Sequence, residues 1–157
     1  MSSFVVAVFL GICALQDIKH KRISNWLTLS AIGAALAYLL VFHRSWLGAP
    51  PLDAALAATF ALLLSLPGYA LGKFGGADVK LLLFIGLASS SQLLLLCIAG
   101  AGLAYAGWAL AARPVWPLLS ETAQNHLGHM APAQVKTYPF APFILAGFLT
   151  AIFLTEM

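Results

Sequence analysis

Residues 79–112 read VKLLLFIGLASSSQLLLLCIAGAGLAYAGWALAA, with no acidic side chain anywhere in the stretch. How it is cut decides the fold. As one helix it would be roughly 51 Å long, against an apolar bilayer core of about 30 Å. Ser89-Ser90-Ser91-Gln92 interrupts it. Serine hydroxyls compete for backbone hydrogen bonds and favour turns and helix starts over helix interiors. The stretch is therefore read as two crossings, a short one at 79–88 and a full one at 93–112.

The rest of the chain fits that reading. It has 157 residues, of which 62% are hydrophobic and 8% charged, with a mean hydropathy of +0.95. This composition describes an all-α polytopic membrane protein and excludes an ordinary soluble domain. Four more apolar segments lie at 2–16, 26–42, 54–71 and 140–154, which makes six spans in one transmembrane domain, 1–157. The first has no basic residue ahead of it and a basic cluster, Lys19, His20, Lys21 and Arg22, behind it, the reverse of a secretory signal peptide. With six spans and the N-terminus outside, Lys19, Lys21, Arg22, Lys73, Lys80, Arg113 and Lys136 lie inside and only Arg44 outside. Fusing the two middle spans spoils that asymmetry, so the positive-inside rule favours six. The net charge of +3 is scattered, which gives no footprint for nucleic acid. Cys13 and Cys97 sit in apolar runs without CxxC spacing and read as buried thiols.

In a chain this poor in charge, two aspartates stand out. Asp17 ends the first span and Asp78 opens the fourth, both at the cytoplasmic side, while Asp53 opens the third span on the outer side. Ionisable groups at membrane depth are costly and mark function. Two carboxylates that share a proton can act as base and acid on water attacking a carbonyl. Asp17 at a helix C-terminus and Asp78 at a helix N-terminus would differ in their preference for charge, which suggests Asp17 as the proton holder and Asp78 as the base. Gly75 and Gly76 allow a tight turn and close approach of a substrate backbone. The alternative is structural: Asp17 pairing with Lys19 or Lys21, and Asp78 capping its helix.

The sequence around each aspartate adds to this. Asp17-Ile18-Lys19-His20-Lys21-Arg22-Ile23-Ser24-Asn25 resembles the first aspartate motif of the type IV prepilin peptidase family. Gly75-Gly76-Ala77-Asp78-Val79-Lys80-Leu81 resembles its second, the GxGD motif, with Ala77 in place of the second glycine. Tyr138-Pro139-Phe140-Ala141-Pro142 looks like the family's Pro-rich start of the last helix. The resemblance implies a membrane aspartic endopeptidase with Asp17 and Asp78 as its catalytic pair and no cofactor or metal. It implies a prepilin-like substrate, with a basic leader and an apolar helix, cut at the cytoplasmic face of the inner membrane. Lacking a CxxC-bearing insert, the chain looks like the short, peptidase-only type found in tight-adherence (Flp) pilus systems. Two alternatives remain open at this point: a presenilin-like intramembrane protease, and a non-enzymatic assembly or proton-coupled subunit.

Other residues are assigned simpler roles. Asn25 is read as a helix cap or a substrate contact, and Gly75, Gly76 and Ala77 as shaping the site. Lys19, Lys21 and Arg22 are topology signals, and Lys80 snorkels. His126, His129 and Glu121 are read as a polar loop within 113–137 rather than a metal site, since no HExxH is present. Trp26, Trp46, Trp108 and Trp116 read as interfacial anchors in contact with lipid. Gly100, Gly102 and Gly107 permit close helix packing, with self-association into a homo-oligomer left open.

Overall fold

The computed structural model describes residues 2–72, 74–131 and 138–156; of Glu156, only the backbone is described. Lys73, Lys136 and the stretch 132–137, parts of the charge count and of the polar loop above, lie outside the described residues. Among the described residues the protein is all-α. Its helices are α1 (Ser2–His20), α2 (Asn25–Phe42), α3 (Pro51–Ala70), α4 (Gly76–Ala88), α5 (Ser91–Val115), α6 (Glu121–His126) and α7 (Ala141–Glu156). Short 3-10 turns at Trp116–Leu118 and Gly128–Met130 flank α6.

The apolar stretch divides as read. The break falls at Ser89 and Ser90, and the Ser90 side chain accepts the Leu93 N–H at 3.2 Å to cap α5. α5 runs on through Arg113 and Pro114 to Val115, three residues past the expected end. Four helices, α1, α2, α3 and α5, are long and apolar enough to cross a membrane. α7 is apolar but shorter, and α4 has 13 residues, about 20 Å of helix.

Hydrogen bonds show how the helices alternate. At one end Asp53, opening α3, accepts from the Ser91 N–H and hydroxyl that open α5. There the Leu47 N–H also donates to the Ala88 carbonyl that closes α4. Ser3 of α1 and Thr155 of α7 share a pocket at this end with Ser90. At the other end Asp17, late in α1, meets Ala141, the first residue of α7. Asn25, opening α2, accepts from Lys80 of α4 at 2.7 Å. The six apolar helices therefore run up and down in turn, with Asp17 and Asp78 at one end and Asp53 at the other.

Because α4 is shorter than α3, the chain must climb back into the bundle before α4 begins. Gly72 makes the reversal with φ +66°, a conformation glycine adopts without strain. The Phe74 N–H then donates back to the Gly68 carbonyl at 3.1 Å, so Phe74 is level with a residue inside α3. Asp78 thus starts below the end of the neighbouring helix, in a recess of the bundle.

Small residues bring the helices together. Ala54, Ala57, Ala61 and Ser65 form one fully buried stripe on α3. A Cβ on Gly86 of α4 would lie 2.9 Å from the Ala58 backbone. α5 and α7 cross closely: a Cβ on Gly147 would collide with the Cys97 carbonyl. Gly100 packs into this same crossing, whereas a Cβ on Gly102 or Gly107 would meet open space. Of the four tryptophans, Trp26 is exposed as an anchor should be. Trp46 packs on Phe84, while Trp108 and Trp116 pack inward around Met130 and Phe143. Large apolar side chains such as Leu63, Leu103 and Phe153 point outward, as lipid-facing residues do.

This arrangement fixes relative sidedness. Cysteines replacing Ser24 and Asn125 should react with an impermeant maleimide from one face of the membrane, and one replacing Arg44 from the opposite face. Native Cys13 and Cys97 are buried and contribute little background. Labelling of positions 125 and 44 from the same face would mean that α4 and α5 make a single crossing.

Candidate active site

Asp17 sits in the last turn of α1 and Asp78 is the third residue of α4; each is 8% exposed. Both line one cavity of about 530 Å³. Each carboxylate receives a backbone N–H. Asp78 Oδ2 accepts from the N–H of Gly75, the cap residue, at 3.0 Å, and the Asp78 N–H returns to the Gly75 carbonyl, which ties the start of its own helix. Asp78 therefore caps its helix, as the structural alternative supposed, and also faces the cavity. Asp17 Oδ2 accepts from Ala141 at 3.1 Å.

The local sequence explains why Ala141 is the donor. Pro142 has no N–H, and the N–H groups of Phe143 and Ile144 both return to the Phe140 carbonyl. The Ala141 N–H is thus the donor that α7 leaves at its tip. A proline inside the first turn is tolerated because no hydrogen bond is required of it there. The expected contrast between the two aspartates is corrected by this bond. Asp17 is near the C-terminal end of α1 but also faces the N-terminal end of α7, so helix ends do not divide the pair into acid and base.

Ala77 fits the motif without difficulty. The helix begins at Gly76, so residue 77 needs helical dihedrals, which alanine adopts readily. The left-handed position here is Gly72, six residues before Asp78. Gly75 and Ala77 line the cavity as expected. Asn25 and Gly76 are not among its lining residues. Asn25 follows the cap position, Ser24, and engages Lys80. Gly76 faces the Tyr69 ring.

The cavity walls contain residues that the sequence reading missed. Phe74 and Phe140 stack with ring centroids 4.9 Å apart, and Tyr105 lies 5.9 Å from both Tyr138 and Phe140. Tyr105 lies within an unremarkable apolar run, so only the fold brings it here. Tyr138 and Phe140 stand in the Pro-rich motif, whose pattern gives no sign that their rings line a cavity. Lys21, read as a topology signal, also lines the cavity.

After α5, residues 116–131 fold as a cap on this end of the bundle. Trp108 Nε1 donates to the Met130 carbonyl at 3.3 Å, and His129 Nδ1 lies 3.0 Å from the Ile18 carbonyl, next to Asp17. His126 instead turns to the Thr122 carbonyl at 2.8 Å. Among the described residues, no three His, Cys, Asp or Glu side chains gather as a metal site would require.

Fold and cavity define a helical membrane protein of several spans with two buried carboxylates in one recess. A family model for the type IV leader peptidase family matches residues 4–110, more than half of the chain. The chain belongs to that family, and is therefore a peptidase whose substrates are prepilin-like proteins. No curated protein and no solved structure matches it. The family match contains Asp17 and Asp78 but stops before the cap and α7, so the Ala141 donor lies outside it.

The Asp17–Ala141 bond can be tested by Ala141→Pro. Proline suits the first position of a helix but removes the donor. Losing one hydrogen bond to a charged group should lower kcat by roughly 10- to 100-fold, with insertion and helix content unchanged by circular dichroism. Wild-type kcat in this variant would show that the bond does not matter to the site.

Proposed function

We propose that this chain is an aspartic endopeptidase that removes the short basic leader of prepilin-like proteins at the cytoplasmic face of the inner membrane. The observation that carries the reading is the meeting of Asp17 and Asp78, from separate helices, in a single recessed cavity. Family membership supports the peptidase class and the prepilin-like substrate. The excess of basic residues at the Asp17 end supports its placement toward the cytoplasm.

In this mechanism the two carboxylates hold one proton between them. The ionised member takes a proton from water as the water oxygen bonds to the scissile carbonyl carbon. The protonated member donates its proton to the carbonyl oxygen, giving a neutral tetrahedral diol. Collapse of the diol breaks the C–N bond, and a proton passes to the leaving amine. The backbone N–H groups of Gly75 and Ala141 hold the two carboxylates in place. The aromatic wall gives the substrate's apolar segment a surface to lie on beside them.

Asp17→Asn and Asp78→Asn should each lower leader cleavage by at least about a hundredfold, because the pair acts as a unit. Both variants should still insert in the membrane. Asp53→Asn, at the far end of the bundle, should retain near-wild-type cleavage, since an amide oxygen can still accept from Ser91. Full cleavage by the Asp78→Asn protein would end the aspartic reading.

Two carboxylates activate water without a cation. Cleavage in detergent or liposomes should therefore survive EDTA and 1,10-phenanthroline. Loss under chelation with recovery on adding zinc would move the chemistry away from the aspartates.

A further inference from the structure

Lys21 has a backbone that a lysine rarely adopts. Its φ is +50°, in the left-handed region, which costs a non-glycine residue roughly 1–2 kcal/mol. The conformation is held by a hydrogen bond from the Lys21 N–H to the Asp17 carbonyl at 2.8 Å, the left-handed cap that ends α1. Glycine would make the same cap without strain. His43 ends α2 with the same left-handed backbone away from this cavity, so what sets Lys21 apart is where its side chain lies. Here the side chain lines the same cavity as Asp17 and Asp78, at its exposed mouth.

We propose that Lys21 is a positioning residue for peptide hydrolysis, its ammonium keeping the aspartate pair in the singly protonated form near neutral pH. The proposal rests on the aspartic reading above. Two ionised carboxylates in one apolar recess repel each other. A cation at the mouth offsets part of that repulsion without entering the reaction. Other titratable groups face the pair from the surrounding elements. Tyr105 comes from α5 and Tyr138 from the approach to α7, and His129 of the cap lies against the Ile18 carbonyl. Cys13 lies one turn before Asp17 on α1. Among the described residues that line the cavity, Lys21 is the one basic side chain.

The test is the pH profile of kcat/KM for leader cleavage by the full chain in lipid nanodiscs. Lys21→Arg keeps the charge, Lys21→Met removes it, and Lys21→Gly removes it while relieving the backbone strain. The Arg variant should superimpose on wild type. The Met and Gly variants should both move to higher pH by about half to one unit, the size expected for one partly screened charge. Lys21→Gly should unfold no earlier than wild type in a thermal scan, so its shift would not come from a weakened fold. Complete loss of cleavage in both neutral variants, with Arg active, would also support a role for the charge. Profiles of the Met and Gly variants that coincide with wild type would overturn the proposal. So would loss of cleavage in the Arg variant as well, since geometry rather than charge would then be at stake. Asp17→Asn and Asp78→Asn run alongside separate the two readings. Activity in either means that the aspartic reading has failed, whereas inactive Asn variants with unmoved Lys21 profiles mean that only the role of Lys21 has.

Discussion

A carboxylate enclosed by apolar helices must be met by a hydrogen-bond donor, and Asp17 is met by the Ala141 N–H. That bond spans 124 positions of sequence and joins the first helix to the last. It depends on the proline spacing around Ala141, which leaves that N–H as the donor at the tip of α7. It depends equally on Gly147, since any side chain there would drive α7 off α5 by collision with the Cys97 carbonyl. The position of one aspartate is thus set by packing at a glycine further down the last helix.

The second aspartate is placed by a different constraint. α3 delivers the chain to the site end of the bundle, Gly72 reverses it, and Phe74 returns alongside Gly68. A Cβ on Gly68 would collide with the Phe74 ring, so the return path needs a glycine there too. The short α4 then begins inside the bundle, with Asp78 capping it through Gly75. At its far end α4 is held by Leu47 and flanked by the Asp53–Ser91 link. Asp53 therefore has a structural role at the far end of the bundle from the cavity. The three aspartates at helix ends thus sit in two settings: Asp53 braces α3 against α5, while Asp17 and Asp78 face the cavity.

The cavity walls reflect the same division between backbone and packing. One part of its lining is made by residues near the aspartates in sequence, namely Lys21, Phe74, Gly75 and Ala77. Its apolar side is made by α5 and the approach to α7, where Tyr105, Tyr138 and Phe140 meet ring to ring. The cap formed by α6 and its flanking turns rests on this wall through Trp108 and Met130, and on α1 through His129.

The sequence by itself determined the number and order of the apolar helices, the break at Ser89 and Ser90, and the two aspartates as the unusual groups. Hydropathy and charge asymmetry are local sums, and both survive without knowledge of the fold. Motif resemblance singles out the same two positions, and both lie within the family match. Only the tertiary structure decided which residues surround the pair. Tyr105 lies in a run with no distinguishing pattern, and its role depends on how α5 rotates against α7. Asn25 looked like a site residue because it follows Asp17 closely in sequence, yet it opens a helix that turns it toward Lys80. The electrical contrast expected between Asp17 and Asp78 failed for a related reason. It considered each aspartate's own helix, while the field at Asp17 also comes from the end of α7. Helix propensity and hydropathy are written along the chain, but the donors, rings and charges that meet at a buried carboxylate come from separate helices, and only packing sets their register.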